Sequence, residues 1–396
     1  MKNKGINRRD FLRLSATGVG AFILPSTVSA TVFPDEETQS EAKKIPVRTL
    51  GRTGIELPIL SMGVMRADNP NLLRVSYNSG LVHFDTANGY QNGRNEEMVG
   101  NFFKDKPRDS FIVSTKVKCG YPLSENFETE LDAALAVSLG RLQMDYVDIF
   151  YAHALSTVEA VNDPRALEAL KKIKSDGRAR FLGFSTHASK PAQIDAAIEA
   201  GIYDVILLTY NFKLENLEET NAAIERAAKA GIGLIAMKTM TGGVADAEGH
   251  KKIDAKACLK WAWQNKNITT IIPGYTNYDE FEDCMAAAHD PKLTGDQEKY
   301  LAVLKNSEMM FCQQCGACVG QCQAGLPIPD IMRAYMYTYG YKFSQLSKET
   351  LAELDLPNNI CADCDSCSVK CPSGFDVAKK IAAITPVVNI PNEFLT

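Results

Sequence analysis

Two runs of four cysteines near the C-terminus are the residues whose spacing points most directly to chemistry. Each run follows C-x2-C-x2-C-x3-C, a spacing in which three thiolates bind one iron–sulfur cluster and the fourth reaches another. The eight thiols belong to Cys312, Cys315, Cys318, Cys322, Cys361, Cys364, Cys367 and Cys371. Structural zinc usually takes two separated pairs of ligands, and four thiols so close together are poor partners for disulfides of normal geometry. The spacing therefore predicts two 4Fe-4S clusters.

Four groups of complementary chemistry lie at the ends of apolar segments. Three successive segments end in Asp85, Lys116 and His153, and Tyr90 follows Asp85 in the next loop. We expect the Lys116 ammonium to lower the pKa of Tyr90, and the Asp85 carboxylate to hold that ammonium in place. Tyr90 would then protonate a carbonyl oxygen, or take the proton of an alcohol. The alternative is a salt bridge between Asp85 and Lys116 that only balances buried charge.

The elements that must position these groups alternate between apolar strands and helices from Val47 to Gly274. Eight strand–helix units with near-continuous apolar strands predict a parallel sheet closed into a barrel, whose active site lies at the C-terminal ends of the strands. The predicted strands span residues 57–63, 81–87, 111–117, 145–153, 179–187, 203–211, 232–239 and 268–274.

The fold class predicted from this pattern is α/β, a (β/α)8 TIM barrel with a C-terminal α-helical ferredoxin-like domain. The barrel is expected over residues 47–292. Residues 293–396 carry the two cysteine runs and helical patterns without strand alternation, so they predict the second domain, with two 4Fe-4S motifs.

The N-terminal residues resemble an export signal. Residues 1–30 combine the pair Arg8 and Arg9, a mildly apolar run and a small-residue cleavage pattern ending at Ala30, as in twin-arginine signal peptides. A chance arginine pair in a tail is the alternative. Residues 31–46 are polar and predict a linker. We therefore expect a bacterial protein that is periplasmic or otherwise exported by the twin-arginine route.

The charge balance limits the partners. The chain has a formal net charge of −5, and its first 30 residues hold five basic side chains and one acidic side chain, so the remainder carries about −9. An acidic body argues against nucleic acid as a partner. The apolar run of the signal is too short and too polar to span a bilayer, so we expect no stable membrane insertion.

Four segments together resemble the aldo-keto reductase family. They are HFDTANGYQNGRNEEMVG (83–100), STK (114–116), FYAH (150–153) and GFSTH (183–187), and the resemblance covers roughly residues 46 to 290. It implies that Asp85, Tyr90, Lys116 and His153 are the catalytic tetrad, with His153 orienting the carbonyl group. A barrel of this family followed by two cysteine runs also resembles the iron–sulfur subgroup of these reductases.

The resemblance also implies that a nicotinamide cofactor, NAD(H) or NADP(H), is bound. The family's carboxamide-binding residues correspond to Ser185 and Thr186, and the residue that stacks on the nicotinamide corresponds to Met237. The family's phosphate-binding Lys and Arg correspond to Gly274 and Glu280. A carboxylate at position 280 would repel a 2′-phosphate and could accept a hydrogen bond from a ribose hydroxyl, so we expect NADH to be preferred. The alternative is that Glu280 is only a solvated charge on a helix.

These expectations lead to an oxidoreductase that interconverts a small carbonyl compound, such as a sugar, and an alcohol. The two clusters would pass electrons to or from an external carrier, since free nicotinamide nucleotides are not expected outside the cytoplasm. One alternative is an electron-transfer or binding protein whose barrel no longer turns over a nicotinamide; Leu207, where the family often has Gln, favours it. Another is that the clusters are purely structural.

Overall fold

The computed structural model of the protein describes residues 44–187, 190–242, 253–307, 311–354, 356–357, 360–361, 364 and 366–395. The predicted signal peptide and most of the predicted linker lie outside the described residues. No helix in the described part of the chain is long and apolar enough to cross a membrane.

The first two strands form an antiparallel hairpin, and the other eight form one parallel sheet in which each strand pairs with its neighbours in the chain. The strands are β1 (Val47–Thr49), β2 (Glu56–Pro58), β3 (Met62–Gly63), β4 (His83–Asp85), β5 (Ile112–Lys118), β6 (Val147–His153), β7 (Ala179–Thr186), β8 (Val205–Thr209), β9 (Gly233–Met237) and β10 (Thr270–Ile271). A parallel bridge between Leu60 and Ile271 joins the two edges of the sheet. The predicted (β/α)8 barrel is therefore confirmed.

The predicted first strand, 57–63, is wrong in extent. Its first residues belong to the hairpin, where Val47 pairs with Pro58, and only Met62 and Gly63 belong to the barrel sheet. Leu57 packs on residues inside the barrel such as Ile149 and Val205. The hairpin's apolar side chains thus fill the barrel interior. The sequence pattern alone does not distinguish a hairpin strand followed by a barrel strand from one continuous strand.

Helices surround the barrel and form the C-terminal region. They are α1 (Pro70–Asn78), α2 (Arg94–Phe103), α3 (Phe127–Leu142), α4 (Val158–Asn162), α5 (Pro164–Ser175), α6 (Lys190–Ala200), α7 (Leu217–Lys229), α8 (Ala255–Gln264), α9 (Tyr278–His289), α10 (Gly295–Lys305), α11 (Ile328–Tyr339), α12 (Ser344–Ala352) and α13 (Val377–Ile384). Several begin as their sequences predict: Asn69 and Asp163 accept hydrogen bonds from the first turns of α1 and α5, each followed by a proline.

The C-terminal region is helical and has an apolar core of its own. Residues of α11, α12 and α13, such as Ile331, Leu351 and Ile381, pack together. No strand follows Ile271 in the described residues, as the sequence predicts. Leu301 of α10 does not belong to this core but packs against Ala257 and Cys258 of α8. This helix therefore packs on the barrel and connects it along the chain to the C-terminal core. The predicted domain boundary at residue 292 stays a prediction.

Candidate functional site

Four predicted catalytic side chains meet at the C-terminal ends of the barrel strands. Lys116 Nζ donates to Asp85 Oδ1 at 2.6 Å and to the carbonyl oxygen of Thr86 at 2.6 Å, and lies 3.5 Å from Tyr90 Oη. The ring of His153 stands perpendicular to that of Tyr90 with centroids 6.0 Å apart. The Lys116 and Asp85 side chains are only 1% and 3% exposed. The structure therefore brings the tetrad (Asp85, Tyr90, Lys116 and His153) together.

The parallel register explains this convergence. Asp85 pairs with Ser114 on β5, two residues before Lys116, so both side chains point to the same side of the sheet. Lys118 pairs with His153 at the end of β6. Tyr90 follows in a short turn that Gln91 fixes by donating to the carbonyl oxygens of Met65 and Ala67.

A hydrogen-bonded chain extends the tetrad inward. Ser114 Oγ donates to Asp85 Oδ2 at 2.7 Å and lies 2.9 Å from His83 Nε2. His83 is fully buried, and burial lowers its pKa to about 4. Sequence reasoning missed the part played by Ser114, although its i, i+2 spacing from Lys116 within a strand is the signal that could have found it.

The expectation that Lys116 lowers the pKa of Tyr90 is wrong for this structure. Burial, and next the negative charge of Asp85, raise the pKa of Tyr90 well above its usual value. The ammonium is already bonded closely to Asp85, and it stands 3.5 Å from the phenol. Burial also lowers the pKa of His153, and the nearby charge of Lys116 adds to the effect, so this imidazole is neutral.

The C-terminal region covers the mouth of the barrel, as the alternative of structural clusters that pin this region over the barrel predicts. Tyr337 of α11 lies under Lys238, whose Nζ is 5.5 Å from the ring centroid. Arg333, one turn earlier, is bonded to Asp330 at 2.6 Å and is close enough to affect the pKa of Tyr90. Gly242 fits so tightly against α11 that a Cβ there would lie 2.5 Å from Met336 Sδ. Helix α11 is therefore a wall of the catalytic site.

The eight predicted metal-binding cysteines fall into two groups, each drawing on both runs. The first thiol group consists of Cys312, Cys315, Cys318 and Cys371, which line one cavity. In the second thiol group, Cys361 interacts electrostatically with Cys364, Cys322 and Cys367. Each group thus takes its fourth thiol from the other run, which is the exchange expected of two-cluster ferredoxin sequences.

The two thiol groups have different surroundings. Ile328, Pro329 and Met332 of α11 line the first cavity. In the second group, Cys364 and Cys367 are exposed to solvent. Thiols that surround a cavity fit a multi-atom cluster, whereas the ligands of a single zinc ion would converge to about 2.3 Å from one point.

The residues assigned to the nicotinamide ring lie at the ends of β7 and β9, the two strands on either side of β8. Ser185 and Thr186 end β7 and are buried, and Met237 ends β9 and is partly buried. Ser185 Oγ accepts the N–H of Ala154 at 2.8 Å, which leaves its hydroxyl proton for a carboxamide oxygen. Leu207 is fully buried inside the barrel. The positions assigned to the ring therefore fit a nicotinamide, because Ser185 offers a hydroxyl donor. Position 207 offers no side-chain amide, since it holds a leucine.

The residues assigned to the phosphate end differ from a phosphate site. Gly274 follows β10, and its carbonyl oxygen is 3.5 Å from Arg66 Nη1. Glu280, in the first turn of α9, accepts the backbone N–H of Thr276 at 2.8 Å with Oε2. Glu280 therefore bonds within its own loop, at a position that by the resemblance corresponds to a phosphate-binding cation.

Comparison with protein families agrees with this geometry. The model of the aldo/keto reductase family matches residues 61–257. The chain contains an aldo/keto reductase domain. A second model, the 4Fe-4S dicluster domain, matches residues 311–376, which include all eight cysteines of the two thiol groups.

Individual relatives resemble the aldo/keto reductase domain. An L-galactose dehydrogenase of Arabidopsis thaliana is 27% identical over 297 residues, which are 64% of this chain and 92% of the relative. A D-threo-aldose 1-dehydrogenase of a Pseudomonas species is 23% identical over 51% of this chain and 71% of its own. An aldo-keto reductase structure from Bacillus halodurans (holo form) aligns with a TM-score of 0.54 and 21% identity, covering 66% of this chain and 96% of that one.

Proposed function

We propose that the protein is an exported oxidoreductase that interconverts an alcohol and a carbonyl compound and exchanges electrons through two 4Fe-4S clusters. The observation that carries this proposal is the position of α11. This helix lines the first cavity with Ile328 and Met332, and its Tyr337 lies close enough to the tetrad for Tyr90 and Lys116 to affect its pKa. Met332 and Tyr337 are five residues apart, a rise of about 7.5 Å along a helix. A cluster in the cavity would thus be a near neighbour of the reacting substrate.

The number of clusters can be tested on anaerobically purified protein. Two clusters require about eight iron atoms and eight acid-labile sulfides per chain. Cys371→Ser, which removes a ligand of the first group from the second run, should lower both numbers by about half. Zinc in place of iron, or iron without sulfide, would contradict the proposal.

The tetrad supplies the proton chemistry. Tyr90 keeps its proton because its pKa is raised, so it donates that proton to the carbonyl oxygen as the alcohol forms. The neutral imidazole of His153 can hold the same oxygen by a hydrogen bond, while Asp85 keeps Lys116 charged beside the phenol. A bound nicotinamide supplies hydride transfer to or from the substrate carbon. Ser185 would hold its carboxamide, whereas the hydroxyl of Thr186, also predicted for this role, already donates to Gln193 Oε1.

NADH is the proposed nucleotide, because Glu280 offers a carboxylate where NADPH carries a phosphate. Titrating the full chain with each nucleotide and following tryptophan fluorescence tests this choice. Tighter binding of NADPH than of NADH would refute it, and Glu280→Lys should shift the preference toward NADPH.

We propose a small polyhydroxylated substrate, because the relatives named L-galactose dehydrogenase and D-threo-aldose 1-dehydrogenase act, by their names, on sugars. A panel of aldoses can be incubated anaerobically with the protein. Bleaching of the iron–sulfur absorption band by one sugar would identify an electron donor, and Tyr90→Phe should slow that bleaching by 10²-fold or more, the usual contribution of a positioned acid or base.

The second candidate is an electron-transfer or binding protein whose barrel no longer turns over a nucleotide. The cover that Arg333 and Tyr337 form over the mouth favours it. Tyr90→Phe separates the two candidates, because unchanged bleaching rates in this variant would make the tetrad a relic.

Export is proposed from the sequence of residues 1–30. An external electron carrier would then replace a soluble nucleotide pool. Fractionation of cells that express the full chain should find the protein in the periplasm, and replacing Arg8 and Arg9 with lysine should retain it in the cytoplasm. An unchanged distribution in the lysine variant would exclude the twin-arginine route.

A further inference from the structure

Two lysines of the barrel, Lys238 and Lys190, have buried ammonium groups without a carboxylate bonded to them in the described residues. Lys238 Nζ is buried and has no hydrogen-bond partner in this part of the chain. Lys190 is 1% exposed, and its Nζ donates to the carbonyl oxygen of His187 at 3.0 Å. An ammonium removed from water without an opposing charge is strongly disfavoured. These positions therefore call for a negative charge nearby.

Hydrogen bonds fix Lys238 next to the first cysteine run. Asn211 Nδ2 donates to the carbonyl oxygen of Lys238 at 3.2 Å and to Gln313 Oε1 at 2.9 Å. Gln313, which directly follows Cys312, also donates to the carbonyl oxygen of Thr241 at 3.1 Å. The loop after β9 and the loop of the first cysteine run are thus held together.

The pKa directions of the two lysines agree with this placement. Burial lowers the pKa of Lys190 to about 8, while Cys315 and Cys312 act in the opposite direction. Burial, and next the positive charge of Arg333, lower the pKa of Lys238 well below its usual value, while Cys312 and Asp330 act in the opposite direction. The negative charge that these lysines lack can come from thiolates of the first group.

A carboxylate of the barrel faces the same cavity. Glu215, in the loop before α7, is among the lining residues. It accepts a hydrogen bond from Ser373, two residues after Cys371. Burial raises the pKa of Cys315, and Glu215 raises it further. The barrel therefore presents charges of both signs to the first thiol group.

A 4Fe-4S cluster bound by four thiolates is negatively charged, and reduction adds one electron without making or breaking a bond to the protein. A nearby cation stabilises the reduced form relative to the oxidised form, and a nearby anion does the opposite. The local charges thus decide how readily the cluster takes up an electron released by alcohol oxidation.

We propose that the barrel sets the reduction potential of the cluster bound by the first thiol group. The ammonium groups of Lys238 and Lys190 favour its reduced form, and the carboxylate of Glu215 opposes them. This inference rests on the proposed cluster in that cavity. In this scheme the charge of Lys238 acts on the reaction through the reduction potential of the cluster.

The experiment is a potentiometric titration of the anaerobic full chain, followed by electron paramagnetic resonance so that the two clusters are measured separately. The signal that Cys364→Ser perturbs identifies the second cluster. A unit charge removed from about 10 Å away changes the reduction equilibrium by about tenfold at an effective dielectric constant of about 20, which is about 59 mV for one electron. We expect Lys238→Met to lower the potential of the first cluster by about this amount, and Glu215→Gln to raise it.

Controls separate charge from damage. Lys238→Arg keeps the charge and should keep the potential, and Lys260→Met removes a buried lysine that pairs with Asp290 away from the cavity. If Lys238→Met loses its iron, Glu215→Gln and Lys190→Met carry the test. The inference would be overturned if the potential did not shift, or if the lysine variants and Glu215→Gln shifted it in the same direction. Equal shifts for both clusters would overturn it as well. A wild-type chain without iron–sulfur signals would instead contradict the proposed function.

Discussion

Substitutions of Lys116 and Asp85, which form a buried ion pair, should have strongly coupled effects on the free energy of unfolding of the barrel. Lys116→Met leaves the Asp85 carboxylate, 3% exposed, with the hydroxyl of Ser114 as its remaining donor. Asp85→Asn leaves the Lys116 ammonium, 1% exposed, with a neutral amide and the carbonyl oxygen of Thr86. Removing one partner of a buried pair costs about 3–5 kcal/mol, whereas replacing both with neutral groups costs much less. We therefore expect each single variant to lose about 3 kcal/mol or more.

The double variant is the decisive measurement. It should be less destabilised than the sum of the single variants, with a coupling energy of about 2 kcal/mol or more. Urea unfolding can be followed by tryptophan fluorescence, because the chain has two tryptophans and both, Trp261 and Trp263, lie in α8 of the barrel. The signal thus reports the barrel rather than the C-terminal region.

A matched control lies two residues further along β5. Lys118 pairs with Glu353, and both side chains are about half exposed, so Lys118→Met should cost no more than about 1 kcal/mol. Additive effects of Lys116→Met and Asp85→Asn would refute the reasoning, because they would mean that water screens this pair as it screens a surface pair.

Three further predictions concern neighbouring residues. Ser114→Ala should cost about 1–3 kcal/mol in the same urea assay, since it leaves one Asp85 oxygen without this donor and His83 Nε2 without its hydrogen-bond partner; a loss below about 0.5 kcal/mol would contradict it. The pKa of His83 is about 4 in the folded chain and near 6.5 in the unfolded chain, so between these pH values the unfolded chain binds more protons. The free energy of unfolding should therefore fall by about 3 kcal/mol as the pH drops from about 6.5 to 4. His83→Gln should flatten this dependence on pH. Gly242→Ala, whose added Cβ would strike Met336 at a positive φ of 83°, should speed amide hydrogen exchange in α11, and unchanged exchange would show that the contact is loose.

The sequence predicted those features that local chemistry determines. Cysteine spacing anticipated that Cys371 would join the first run, because three closely spaced thiols leave one cluster corner for a distant ligand. The tetrad was predictable because parallel strands bring their C-terminal ends together, so Asp85 and Lys116 had to be neighbours.

The features that remained hidden depend on packing between distant segments. Nothing local in α11 indicates that Tyr337 would lie over the mouth of the barrel, and the same burial turned the expected pKa shift of Tyr90 in the opposite direction. Lys238 follows β9 with a positive φ of 56°, which a lysine rarely adopts, so its side-chain direction could not be read from strand alternation.

The unequal depth of the two thiol groups has a practical consequence. Cys364 and Cys367 face solvent, whereas the four thiols of the first group are partly buried in a cavity lined by residues of α11 and by Glu215 of the barrel. If each group binds a cluster, as proposed, dioxygen should reach the cluster of the second group first. A preparation handled in air would then keep the first cluster and lose the second, which is the more accessible one to a redox partner. Such material would contain about half of the expected iron and would exchange electrons poorly with an outside partner, even though its barrel is intact.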